Sequence, residues 1–472
     1  MINNRLKIIT SLVVPAVIIA TPREWFQIDH LTVIEHRVIA LFFLAAMLWI
    51  TEAIPIYATS ILIIVLELIT ISSSGINVLI VQSGTAEFGE VIPYKAIMST
   101  FSSPIILLFL GGFFLAMAST KYRLDQNLAR VLLKPFGNRP AYIIMGLMII
   151  TALFSMFMSN TATTAMMLSI IAPVLFCFDQ NDRGKIALAL CIPLAANIGG
   201  LGTPIGTPPN ALALKYLTGV DYIGFGQWMS FGVPFVIVLL SISWVLLLKI
   251  FPSSTKEIKL DIQGEFSKTP KALVVYATFC LTILLWLFDF VHGMNSYTVA
   301  LIPVGVFLSF NIITKEDLKK INWDVLWLVS GGIALGLALG ESGLAEHVVA
   351  SIPFDVFSPL VIIGLTAFLA ALMANFMSNT ATANLLLPII ATIGTTVLSL
   401  EPLGGSKMLI LGTTLAASLG MALPISTPPN ALAHATGIIE TKDMLRVGVL
   451  VGGVGLVLVF ALLYILKTVN FL

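Results

Sequence analysis

Apolar runs of membrane-spanning length recur along almost the whole chain, from Leu6 to Leu466. About 20 residues of helix are needed to cross the hydrocarbon core of a bilayer. The 472 residues are 58% hydrophobic and 10% charged, whereas soluble domains carry about 25% charged residues. The longest polar stretch, near residues 252–270, is too short to form a soluble domain. The sequence therefore predicts an all-α polytopic membrane protein.

Eleven segments are predicted to cross the membrane, and two further apolar segments are predicted to enter it and return. The latter, 140–177 and 358–398, are each interrupted by Ser-Asn-Thr near the middle. A polar break at membrane depth is tolerated only where the backbone is buried in protein or lines a wet cavity, so both are interpreted as re-entrant hairpins. The eleven crossings are predicted at residues 6–20, 38–51, 55–71, 104–119, 186–217, 228–251, 273–290, 297–310, 325–339, 409–437 and 447–466.

Three motifs recur in the same order about 220 residues apart. A glycine pair at 111–112 returns at 331–332, Met-Ser-Asn-Thr-Ala-Thr at 158–163 returns at 377–382, and Thr-Pro-Pro-Asn at 207–210 returns at 427–430. An odd number of crossings separates corresponding points, so the two copies are predicted to be inverted repeats. Such repeats with interrupted helices are typical of alternating-access transporters.

These repeats define the expected organisation of the chain. Residues 1–37 form an N-terminal helix and outer loop. Residues 38–252 form the first repeat, with hairpin 140–177 and broken helix 186–217. Residues 253–472 form the second repeat, with hairpin 358–398 and broken helix 409–437. Most of the 25 Lys and Arg residues then fall on the cytoplasmic side if the N-terminus is cytoplasmic, which predicts this orientation in the plasma membrane.

The repeated motifs carry groups suited to binding small anions. Ser, Asn and Thr donate hydrogen bonds to carboxylate oxygens without bringing a full charge into lipid, and the helix that follows each tip presents free N–H groups. The paired prolines remove amide donors and free carbonyls on the preceding turn. These carbonyls are suited to holding a cation or water, and Asn210 and Asn430 are expected to reach the hairpin tips.

The twinned Ser-Asn-Thr and Pro-Pro-Asn motifs, together with Thr-Glu-Ala-Ile-Pro at 51–55, resemble those of the divalent anion/sodium symporter family. This family includes the INDY-type dicarboxylate transporters, and the resemblance covers nearly the whole chain. It implies a homodimer, an elevator movement, and substrates such as succinate, malate, fumarate or oxoglutarate. It also implies substrate contacts from Ser159, Asn160, Thr161, Ser378, Asn379 and Thr380, with Thr207, Pro208, Thr427 and Pro428 lining the same cavity.

The resemblance further implies two sites for Na⁺ as coupling ion, with no other cofactor. The first comprises Ser155, Ser159, Asn160 and Gly206, and the second comprises Ala374, Met377, Asn379 and Ser426. Ala374 stands where the first repeat has Ser155, so the second site lacks one hydroxyl. Lys215 either compensates substrate charge near the cavity or extends to the outer interface. His434 either touches the cavity or fills a helix interface.

Other functions are weighed against transport of dicarboxylates. An enzyme is not expected, because the five histidines are scattered and no His-Glu metal-binding spacing occurs. The three cysteines, at 177, 191 and 280, do not indicate a disulfide or a metal site. The sequence contains no basic arm, so a nucleic-acid partner is not expected. Cation-coupled symport and dicarboxylate exchange both remain open, with the asymmetry at Ala374 slightly favouring exchange. Transport of sulfate or citrate, and an anion channel, are the alternatives.

Overall fold

A computed structural model describes residues 4–26, 28, 30–80, 85–175, 178, 182–258 and 265–472, and in these ranges the regular structure is helical. Cys177 therefore lies outside the described residues. The helices of the first half are α1 Asn4–Ala20, α2 Val33–Thr51, α3 Ile56–Thr70, α4 Asn77–Ile80, α5 Tyr94–Ser99, α6 Pro104–Lys121, α7 Leu124–Leu133, α8 Pro140–Ser155, α9 Asn160–Leu175, α10 Gly184–Gly200, α11 Pro208–Ala213 and α12 Phe225–Ile250.

The second half repeats much of this order. Its helices are α13 Pro270–Leu287, α14 Asp289–His292, α15 Ser296–Ser309, α16 Lys315–Leu318, α17 Trp323–Glu341, α18 Leu344–Ala350, α19 Pro359–Phe376, α20 Asn379–Thr396, α21 Gly405–Ala417, α22 Pro428–Ala435 and α23 Thr441–Thr468.

Several of these helices are built to lie in a membrane. Within the described residues, seven helical segments are long and apolar enough to cross one: α2, residues 94–121, α12, α13, α17, α19 and α23. Shorter apolar helices, among them α3, α8, α10 and α15, complete the set. The prediction of an all-α, multi-pass membrane fold is confirmed.

Both interrupted segments are folded as paired helices joined by a short turn. The α8–α9 turn contains Ser159, and the α19–α20 turn contains Ser378, whose hydroxyl caps α20 by accepting the N–H of Ala381 at 3.2 Å. Helix α10 packs against both α8 and α9, and α21 packs against both α19 and α20. Each hairpin therefore lies against the long part of its own broken helix.

The short parts of the broken helices connect the two halves. Helix α11 packs against α20 and α21 of the second half, and α22 packs against α9 and α10 of the first half. This exchange brings the Thr-Pro-Pro-Asn turn of each half close to the hairpin of the other. Helices α8–α11 and α19–α22 are referred to below as the inner unit.

Glycine pairs allow close packing of the helices around the inner unit. A Cβ atom on Gly111 of α6 would lie 2.2 Å from the carbonyl oxygen of Ala300 on α15. A Cβ atom on Gly331 of α17 would lie 2.3 Å from the Cβ of Ser60 on α3. Only glycine fits at either position, so the α6–α15 and α3–α17 contacts depend on these residues.

The observed helices depart from the predicted ones at several places; α23, for example, begins at Thr441 and not at residue 447. Helix α2 begins at Val33 and not at residue 38, because Thr32 and Glu35 form a capping box that starts it earlier. The short helices α7 and α18 fall between predicted crossings. Both helices are too short to cross a membrane. Helix α7 packs against α6 and α8, and α18 packs against α20.

Candidate functional site

A cavity of about 330 Å³ lies where the two hairpin turns and the two Thr-Pro-Pro-Asn turns meet. All ten residues predicted to contact a substrate line it: Ser159, Asn160, Thr161, Thr207, Pro208, Ser378, Asn379, Thr380, Thr427 and Pro428. Phenylalanines at 109, 113 and 157 and the aliphatic residues Ile56, Val325 and Leu328 form the apolar walls. The structure thus gathers residues more than 200 positions apart into one site.

Four hydroxyl groups in this cavity are free to bind a ligand. Ser159, Thr161, Thr207 and Thr380 line the cavity, and their hydroxyls have no hydrogen-bond partner in the described part of the chain. A hydroxyl enclosed by protein without a partner is unfavourable unless water or a ligand satisfies it. The cavity therefore presents unpaired neutral donors contributed by both halves.

Asn210 and Asn430 occupy equivalent positions in the two repeats. The prediction that their amides reach the hairpin tips is wrong, because both amides donate to carbonyls of their own broken helix. The amide of Asn210 donates to the carbonyls of Leu201 at 3.4 Å and Thr203 at 2.9 Å. At positions 220 residues later, Asn430 donates to the carbonyls at 421 and 423, at 2.8 and 3.0 Å. The asparagines satisfy the carbonyls that the broken helices leave unpaired, and so hold each break in shape.

Asn197 is a cavity residue that the sequence reasoning missed. It lies on α10, and its amide donates to Thr427 Oγ1 at 3.1 Å and to Asn430 Oδ1 at 3.0 Å. It is 4% exposed and links the first repeat to the second across the cavity. Asn197 is not part of a repeated motif, because the equivalent residue of the second half is Ala417. The sequence feature that could have indicated it is a single amide side chain within an apolar run.

Oxygen atoms converge beside the first hairpin turn. Ser155 donates to Asn160 Oδ1 and, at 2.7 Å, to the carbonyl of Ala196. A Cβ atom on Gly200 would lie 2.8 Å from the carbonyl oxygen of Gly206 and 2.9 Å from the amide nitrogen of Asn160. This crowding of hydroxyl, amide and carbonyl oxygens is the kind of ligand set that a hard cation prefers.

The second half is arranged differently at the equivalent place. Ala374 is fully buried against Gly420 and brings no polar side chain. Its neighbour Asn375 accepts the N–H of Ala422 at 2.9 Å, and the backbone carbonyl of Asn375 accepts the hydroxyl of Ser426 at 3.0 Å. Met377 is buried, while Asn379 and Ser426 line the cavity. An amide at 375 thus lies one residue beyond the missing hydroxyl.

Two other candidate residues lie away from the cavity wall. Lys215 does not line the cavity; its Nζ donates to the carbonyl of Ile333 on α17 at 2.9 Å, and its charge interacts with that of Glu67 on α3. Its side chain therefore points toward α17. His434 lies outside the cavity as well, with Nε2 3.2 Å from the hydroxyl of Thr441 at the start of α23.

Comparison with known proteins places this arrangement in a family. The profile of the CitMHS family, described as citrate transporter, matches residues 46–406. The chain belongs to this family. It is a membrane transporter and not an enzyme, and the resemblance drawn from the repeated motifs is confirmed.

Relatives extend over nearly the full length of the transporter. The sodium-dependent dicarboxylate transporter SdcS of Staphylococcus saprophyticus is 33% identical over 481 residues, covering 93% of this chain and 88% of the relative. SdcS of Staphylococcus aureus strain USA300 is 33% identical over 456 residues, covering 88% and 83%. Among solved structures, the YdaH transporter of Alcanivorax borkumensis, reported as having an unusual topology, aligns with a TM-score of 0.55 and 13% identity over 80% of this chain and 88% of that one. This last likeness concerns the fold alone.

Proposed function

We propose that the protein carries C4 and C5 dicarboxylates, such as succinate, malate, fumarate or oxoglutarate, across the plasma membrane. The observation that supports this most is the meeting of both hairpin turns and both Thr-Pro-Pro-Asn turns in one cavity with unpaired hydroxyls from both halves. A molecule with a carboxylate at each end matches a cavity with a donor cluster from each repeat. The two SdcS relatives are named as dicarboxylate transporters.

The donors at the two turns suit a charged substrate that must also be released. Hydrogen bonds to an ionised group are worth about 1.5–3 kcal/mol each, so several neutral donors offset the loss of hydration. No Lys or Arg lines the cavity in the described part of the chain. Neutral donors at the two turns bind dianions without holding them as a fixed ion pair does.

Sodium is proposed as the coupling ion. A membrane potential of 100 mV, negative inside, opposes dianion entry by about 2.3 kcal/mol per charge, so uptake needs accompanying cations. The oxygen cluster around Ser155, Asn160 and Gly206 is the candidate first site, and the region of Ala374, Met377, Asn379 and Ser426 is the candidate second site. The printed names of the SdcS relatives state sodium dependence, which favours symport over the exchange suggested by Ala374.

Alternating access is proposed to occur by movement of the inner unit against the surrounding helices, as in an elevator. The inner unit contributes most of the polar cavity lining, while α3, α6 and α17 contribute the facing wall. Under this proposal residues 38–252 and 253–472 form the two inverted repeats, the N-terminus is cytoplasmic, and the protein acts as a homodimer.

The test is uptake of labelled succinate into proteoliposomes. An inward sodium gradient is compared with an equal potassium gradient, in vesicles either empty or preloaded with unlabelled succinate. We expect saturable uptake into empty vesicles that requires sodium. Uptake only into preloaded vesicles, whatever the cation, would replace symport by exchange. Absence of any saturable uptake would remove the proposed function.

Citrate is the second candidate substrate, because the matching family is described as citrate transporter. Sulfate is a smaller dianion that neutral donors also suit. Both are included as unlabelled competitors in the same assay. Stronger competition by citrate or sulfate than by malate would reassign the substrate while leaving the site in place.

A further inference from the structure

One ionisable side chain lines the main cavity among the described residues, and it is an acid. Asp324 lies in the first turn of α17, on the wall that faces the hairpin turns; it lines the cavity and is exposed. Its carboxylate has no hydrogen bond or ion pair within the described part of the chain. A negative charge without a partner is unexpected in the wall of a site for anions.

Two basic side chains beside the main cavity line a different space. An adjoining space of about 310 Å³ shares Ser159 and Asn322 with the main cavity and is lined by Lys121 and Lys320. Both lysines face Asp317: Lys121 forms a salt bridge with it, and Lys320 Nζ lies 3.9 Å from its second carboxylate oxygen. Neither lysine therefore pairs with Asp324.

A third carboxylate adds a further negative charge to a cavity that already contains Asp324. A dicarboxylate places one group at each hairpin turn, where the neutral donors lie. An additional carboxylate in the same cavity is then subject to repulsion by Asp324. Like charges repel most strongly where protein replaces water between them. Discrimination between related ligands is often obtained from such a repulsive group and not from additional attraction.

We propose that Asp324 is a specificity-determining residue that makes the site reject tricarboxylates. The inference rests on the proposed transport of dicarboxylates and concerns the same cavity. Asp324 also suits the start of a helix, where an acid is stabilised by the free N–H groups. That structural role predicts no effect on which anions are carried, so the two roles are separable by experiment.

The experiment compares two competitors that differ by one carboxylate. Glutarate and propane-1,2,3-tricarboxylate have the same carbon backbone, and each is titrated against labelled succinate uptake in proteoliposomes. In the unmodified protein the tricarboxylate should compete more weakly. In Asp324→Asn its inhibition constant, relative to that of glutarate, should fall by about three- to tenfold, as removal of one nearby like charge implies. Asp324→Ser, which also removes the charge, should give the same shift.

Two control variants make the result specific. Asp324→Glu keeps the charge and should keep the ratio of the two inhibition constants. Glu316→Gln removes an acid that pairs with Lys319 at 2.8 Å and lines neither cavity, and it should also keep the ratio. An unchanged ratio in both Asp324→Asn and Asp324→Ser, with succinate uptake continuing, would overturn the inference alone. A lack of succinate uptake by the unmodified protein would overturn the proposed function and this inference with it.

Discussion

Replacing Ser159 by alanine, or Thr380 by valine, is expected to lower kcat/KM for succinate uptake by about 10- to 100-fold. Each change removes one cavity hydroxyl that has no partner in the protein and is therefore available to a carboxylate. A hydrogen bond to a charged group contributes about 1.5–3 kcal/mol, and 1.4 kcal/mol corresponds to about tenfold. The uptake by the double variant should approach that of protein-free liposomes, because the variant weakens both ends of the site.

Ser169→Ala is the matched control for these substitutions. Ser169 lies on α9, in the same hairpin as Ser159, but it is exposed and its hydroxyl bonds only to the carbonyl of Met166. It should transport normally. Purified variants are compared by size-exclusion chromatography to show that they fold. Near-normal uptake by both Ser159→Ala and Thr380→Val would remove the two hairpin turns from the binding site.

Glu67 and Lys215 are expected to matter for stability more than for substrate binding. Glu67 is fully buried on α3, and neither of its carboxylate oxygens has a hydrogen-bond partner in the described part of the chain. Lys215 is a basic group that interacts electrostatically with Glu67 without forming a salt bridge in the described part of the chain. Removing one of two buried ionisable groups that interact leaves the other without compensation, which is destabilising, whereas replacing both by apolar residues is often neutral.

Lys215→Met and Glu67→Leu should therefore each lower the thermal melting temperature of the purified protein, and the double variant should recover most of the loss. Fluorescence-detected melting in detergent provides the measurement. Since Lys215 does not line the cavity, the KM for succinate in Lys215→Met should stay close to that of the unmodified protein. A strongly raised KM with unchanged melting would place Lys215 in the binding site instead, and additive losses in the double variant would contradict the pairing.

The twinned motifs made the site predictable. A membrane protein tolerates Ser-Asn-Thr and Pro-Pro-Asn inside apolar segments only where the backbone is enclosed, and their recurrence tied two distant parts of the chain to one place. All ten predicted contact residues consequently line one cavity. Their binding of a substrate stays a prediction, as do the two cation sites.

Other features depend on contacts that the chain order does not contain. Asn197 breaks the repeat symmetry, so its bridge to Thr427 and Asn430 left no duplicated signal. The position of Lys215 in the sequence does not reveal which helix it faces. Its hydrogen bond to the carbonyl of Ile333 on α17 follows only from the fold. The position of Asp324 at the start of a helix does not by itself reveal that it lines the cavity.

The most direct test of the binding site is a cryo-electron microscopy structure in lipid nanodiscs with succinate and sodium. One succinate should occupy the cavity, with one carboxylate at residues 159–161 and the other at residues 378–380. A parallel data set without succinate should lack this density. Succinate bound elsewhere, with the cavity between the two turns empty at saturating concentration, would contradict the account.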